Sequence, residues 1–143
     1  MTESVPGGAA KAPADRGRTT IADGVVEKIA GLAAREVIGV HAMGNGGGLS
    51  RTFGAVRDRV PGGARASVSR GVKAEVGEVQ TALDLEIVVD YGVSIRDVAR
   101  AVRENVVSAV ERMTGLEVVE VNIAVSDVKL PDEEDEEPES RLQ

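Results

Sequence analysis

Between Leu83 and Val125 the apolar residues change period twice, and that pattern restricts the fold more than any other feature of the sequence. Leu83, Leu85, Ile87, Val89 and Tyr91 alternate with other residues, the period-two signature of a strand with one buried face. Ile95, Val98, Val102, Val106, Ala109, Val110 and Met113 then recur at helical spacing. Ser94, with Asp97 three residues on, resembles a capping box, and Gly115 stands where that helix should stop. Val119, Val121, Ile123 and Val125 return to alternation. Strand, helix and strand over residues 82–126 read as a C-terminal βαβ unit, expected to be parallel and right-handed.

Upstream, Val72, Ala74 and Val76 also alternate, and Gly77 to Gln80 supplies a turn, so an antiparallel hairpin is expected. A first helix is expected from Asp23, read as its N-cap. It would carry Val25, Val26, Ile29, Leu32, Ala33 and Val37 on one face, end at Gly39, and lead into a short strand, Val40–Met43. Two amphipathic helices need one apolar sheet face. The expected fold is therefore α+β: a two-layer sandwich with both main helices on one face of a small mixed sheet of about four strands. The other face would carry Asp84, Glu86, Asp90, Glu120 and Asn122 and be wet.

Phe53 and Tyr91 are the only aromatic residues, so the core must be assembled from Val, Ile, Leu and Ala. The absence of Cys excludes disulfides, thiolate metal sites and a Cys nucleophile. His41 is the single His, and no H-E-x-x-H spacing supplies it with co-ligands. Asp84, Glu86 and Asp90 share a strand face, but acid–base work needs a pocket and an open sheet face is not one. Gly44, Gly46, Gly47 and Gly48 run into Leu49-Ser50-Arg51, without the Gly-Lys-Ser/Thr of a phosphate loop, and read as a hinge. No catalytic residue, metal ligand or cofactor site is expected, and an enzyme is the least supported class.

The 143 residues suit one domain. Residues 1–18 read as a disordered arm without the apolar region of a signal peptide, and no run approaches the ~20 apolar residues of a membrane span. Residues 131–143 read as a disordered acidic tail that holds −6 of the net −7. The domain proper is expected over 19–130, with a Gly- and Arg-rich insert at 44–70. Within that insert Leu49, Phe53, Val56 and Val60 make a helical stripe flanked by Arg57 and Arg59, closed by Pro61-Gly62-Gly63. From Arg51 to Lys73 six bases stand against Asp58, a local charge of +5. Arg51, Phe53, Arg57 and Arg59 are the candidate partner-binding residues, facing an anionic lipid surface or an acidic protein. The plain alternative is a stripe that docks on its own domain. Nucleic acid fits poorly, for want of stacking aromatics and because the tail repels phosphate. The tail itself is a candidate mask for the basic element.

Three blocks carry a resemblance. The first is Ile21-Ala22, Val25-Val26, Ile29-Ala30, Ala33, Val37 and Gly39-Val40. The second is Gly71-Val72, Val76-Gly77-Glu78, Leu83-Asp84-Leu85, Val88-Val89 and Tyr91-Gly92. The third is Glu111-Arg112-Met113-Thr114-Gly115-Leu116, Val118, Val121-Asn122-Ile123, Val125 and Asp127-Val128. In this order they resemble the opening helix, central hairpin and closing helix and strand of the bacterial alkaline-shock, or envelope stress response, family. The resemblance implies a cytoplasmic, non-enzymatic protein tied to cell-envelope stress, held peripherally at the inner face of the membrane. It implies self-association into a homo-oligomer and binding to a membrane-anchored protein partner, as a structural or adaptor module. The alternatives are a regulatory binding module for a cytoplasmic enzyme and, with less support, a nucleic-acid-binding domain.

Overall fold

The structure, a computed structural model, describes residues 11–44 and 69–133. The insert helix Leu49–Val60 and most of the expected arm and tail lie outside the described residues. Of the arm, residues 11–18 are exposed and hold one 3-10 turn, Pro13–Asp15.

Helix α1 spans Asp23–Arg35. Ala22, not Asp23, occupies the N-cap position. The Asp23 carboxylate is engaged elsewhere, accepting a hydrogen bond from the Val76 N–H at 3.2 Å. The buried face is also rotated from the one expected. Val26, Ala30, Ala33 and Ala34 are enclosed, whereas Val25 and Leu32 are about half exposed. The rotation brings Glu27 inward, where its Oε2 accepts from the Ala74 N–H at 3.1 Å. Small alanines on the inner face let the helix approach closely enough for that bond.

Strand β1 (Val40–Met43) coincides with its expected span, and β2 (Val72–Val76) forms an antiparallel hairpin with β3 (Gln80–Asp90). Gly77 N–H donates to Gln80 O at 2.8 Å, closing the tight turn between them. Tyr91 falls one residue past β3 and is mostly exposed, so it does not continue the buried alternation.

Helix α2 (Ile95–Thr114) begins at Ser94, whose Oγ accepts from the Asp97 N–H at 3.4 Å. It ends at Gly115, in the left-handed conformation (φ 77°) that glycine reaches without a side-chain penalty. Val98, Val102, Val106 and Val110 form its buried stripe, while Ile95 and Met113 at its ends are largely exposed. Strand β4 (Glu117–Lys129) then runs parallel to β3 along its whole length. Its register shifts between Val118 and Glu120, which makes Val119 an extra residue in the ladder. Val121 is therefore buried and Val119 half exposed, although simple alternation placed both inward.

Strand β3 lies at the centre. Beside it on one side is β4, and on the other β2 pairs with residues 81–85 while β1 pairs with residues 87–89. Strands β1 and β2 thus occupy one lane, end to end. Both helices pack on the face formed by Leu83, Leu85, Ile87 and Val89, all within 1% of complete burial. Helix α1 lies over the β1/β2 lane and α2 over β4. Asn105 of α2 joins the helices, donating to Ala33 O at 2.7 Å and to Glu36 Oε1 at 3.2 Å. The result is a two-layer α+β fold with one open sheet face.

Candidate interaction surfaces

An open sheet can present its edges, its uncovered face and whatever is inserted into it. The edges are partly closed. Along β2, the outward N–H groups of Ala74 and Val76 are taken by Glu27 and Asp23, one helical turn apart on α1. Along β4, Val118 N–H donates to Glu111 Oε2 at 2.9 Å, and Val121 O accepts from Arg103 Nε at 3.1 Å, both groups of α2. Each helix therefore caps the edge beside it with charged side chains, which blocks further strand addition there. Beyond Val121, from Asn122 to Ser126, no side chain of α2 caps β4. That half of β4 is an edge the helix leaves open.

The uncovered face is acidic. Asn122 donates through Nδ2 to Asp84 Oδ1 at 3.0 Å and also to Glu120 Oε2. His41 Nδ1 lies 3.3 Å from Asp90 Oδ1, on the same face. These groups are in contact with solvent, as expected for a wet face. Glu86 is the exception, since only 6% of it is exposed. Alternation places it outward with Asp84 and Asp90, and alternation carries no information on what covers a face.

The third feature is a neck. In an uninterrupted ladder one partner residue would serve both backbone groups of Glu86. Here Gly44 N–H donates to Glu86 O at 2.7 Å, while Glu86 N–H donates to Gly71 O at 2.8 Å. Two glycines, the first residue of the 44–70 insert and the first residue after it, share a single ladder position. Their backbones touch, for a Cβ on Gly71 would fall 3.0 Å from Gly44 O. The candidate residues Arg51, Phe53, Arg57 and Arg59 all belong to the segment that leaves through this neck and lie outside the described residues. Of the basic stretch, Arg70 and Lys73 are described, the first exposed and the second half-buried.

Two clefts, of about 390 and 380 Å³, lie beside the β2–β3 turn and between the helices near Glu36 and Asn105. Both open broadly to solvent, and neither brings a nucleophile to a base. Among the described residues no group of three or more His, Asp or Glu is arranged to hold a metal ion. No described helix is long and apolar enough to cross a membrane.

Residues 11–130 match the Asp23 family, described as having a cell envelope-related function, and the chain belongs to that family (its name has no connection with residue Asp23). It is 40% identical over 114 residues to a Streptococcus pyogenes protein named as a stress response regulator gls24 homolog. That alignment covers 80% of this chain and 60% of the streptococcal protein, so the chain spans less than two thirds of that relative's length. It is 38% identical over 111 residues to the uncharacterized protein YqhY of Bacillus subtilis, covering 76% of this chain and 75% of YqhY. No solved structure matches the chain.

Proposed function

We propose that the chain is a non-enzymatic envelope stress response protein, acting as a structural or adaptor module. It would self-associate and bind a membrane-anchored protein, holding the domain at the inner face of the cell membrane. The observation that carries this reading is the family match across nearly the whole described domain. Physical support comes from the polar inventory. Glu27, Asp23, Glu111 and Arg103 serve the backbone, while Asp84, Asp90, Glu120 and Asn122 lie on an open sheet face suited to contact with a partner. The uncapped half of β4 is the route we assign to self-association, by strand pairing.

The test is cell fractionation of the tagged protein beside a variant with Arg51, Arg57 and Arg59 changed to Glu. The adaptor reading expects the wild type with the membrane and the variant released. A wild type that stays in the soluble fraction in stressed and unstressed cells alike would rule out membrane attachment. A second reading, regulation of a cytoplasmic enzyme, is favoured by the streptococcal relative's description as a regulator. It predicts that pull-downs recover an enzyme from the soluble fraction. Nucleic-acid binding, the remaining alternative, would show as steep loss of affinity with salt.

A further inference from the structure

The stretch Asn122–Ser126 of β4 carries no charged residue, and Asn122, Ala124 and Ser126 are exposed. Charge or Pro on an edge strand normally deters pairing with another chain, and this stretch has neither. Engaged backbone groups bound it at both ends. Arg103 Nε donates to Val121 O at 3.1 Å, and Asp127 Oδ1 accepts from the Val128 N–H at 2.8 Å. Val121 turns its carbonyl away from β3, so by alternation Ile123 and Val125 turn their backbone groups outward as well. The ladder to β3 is regular from Glu120 to Val125 and shifts at Ser126.

The helix layer leaves room above the same stretch. Arg103 and Glu111, from the middle and end of α2, reach over the edge of β4. Val98, near the start of α2, instead meets Gly39 at the head of β1, where an added Cβ would lie 2.7 Å from Val98 Cγ2. The helix therefore crosses the sheet obliquely and withdraws from β4 as the strand runs on. Ile123 and Val125 accordingly stay half-buried, although their side chains point into the helix layer.

A second copy of the chain matches this edge. In an antiparallel pair with its two-fold axis at Ala124, Ile123 stands opposite Val125 of the copy, and each such pair exchanges two backbone hydrogen bonds. Apolar side chains then meet on the helix side. On the other face Asn122 meets Ser126 of the copy, and the two Ala124 Cα atoms come to about 4.5 Å, which so small a side chain permits. Residue 121 falls opposite 127, so Arg103 comes beside Asp127 of the copy, a complementary charge pair at each end of the contact. Arg103 also selects the axis. Pairing centred on Ile123 would need Val121 O, which the guanidinium occupies.

We propose that two copies pair through Asn122–Ser126 of β4, antiparallel about Ala124, into one continuous sheet with both helix layers on the same side. The pairing rests on the self-association in the proposed function and gives it a surface and a register.

The chain has no Cys, so single cysteines report the register. In the full chain under mild oxidation, Ala124→Cys should form a disulfide-linked dimer about tenfold faster than Asn122→Cys or Ser126→Cys, whose thiols lie about 13 Å along the strand from their own counterparts. Those last two variants, mixed, should link to each other. Ala124→Lys changes an exposed position and sets two like charges on the axis, so it should sediment as a monomer with the far-UV circular dichroism of the wild type. A wild type that is monomeric at every concentration would overturn the pairing and, with it, the self-association in the proposed function. A dimer whose three cysteine variants link at equal rates, or one that survives Ala124→Lys, would overturn the β4 pairing alone and leave self-association to another surface.

Discussion

Gly71→Ala adds a single methyl group at the neck, and the structure separates its cost into two parts. The first is conformational. Gly71 has φ 78°, and an L side chain in that region costs about 1–2 kcal/mol. The second is steric. The new Cβ would stand 2.9 Å from Glu86 O and 3.0 Å from Gly44 O, both backbone atoms that no rotamer change can move aside. Relief requires the two lanes to separate, which strains the 2.7 and 2.8 Å hydrogen bonds that close the neck. Losing one or both would add ~0.5–1.5 kcal/mol each, for a total of about 1.5–5 kcal/mol. Gly115→Ala isolates the first part, because Gly115 has φ 77° with nothing within 4 Å of the added Cβ. It should cost about 1–2 kcal/mol and no more. Urea unfolding of both variants, followed by far-UV circular dichroism at constant m-value, compares them directly. If Gly71→Ala proves no more destabilising than Gly115→Ala, the neck is not closed as described and the shared ladder position is wrong.

Three further outcomes are expected. Glu27→Ala removes a buried acceptor and strands the Ala74 N–H, and should lower stability by roughly 1–3 kcal/mol, with Glu27→Gln costing less, both measured by the same unfolding assay. Leu85→Ala opens a cavity under both helices at a fully buried position and should cost about 2–5 kcal/mol, seen as a lower denaturant midpoint. Arg103→Ala uncaps Val121 O and lengthens the open edge of β4, so light scattering should show increased self-association at little cost in stability, ~1 kcal/mol or less.

Where one pattern governed an element, the sequence was sufficient. The i, i+4 valines of α2, its Ser94 cap and Gly115 stop are local signals, and helix and caps stand where they point. Strand β1 was legible for the same reason. Errors arose where a long-range bond competed with a local rule. Asp23 is a good cap by type, but the Val76 N–H claims its side chain, and the same edge draws Glu27 inward and turns Val25 and Leu32 out. The clue was present as two carboxylates at i, i+4 spacing on α1, but only the neighbouring strand gives that spacing a meaning. Val119 was misplaced because a bulge changes phase without leaving a compositional mark. Glu86 was grouped with the wet face since period two assigns a side, and burial depends on what the chain folds over that side. Gly44 to Gly48 read as a hinge, but the ladder position that Gly44 shares with Gly71 appears only once β1 and β2 are seen in one lane.

That lane has a bearing on how the chain tolerates change. Because Gly44 and Gly71 together fill one ladder position, the sheet is complete whether the loop between them is long or short. Closing a loop of twice the length costs only about 0.6 kcal/mol more in chain entropy. The neck is therefore a natural grafting port. Foreign sequence spliced between these two glycines would leave in place the hydrogen bonds that both make to Glu86.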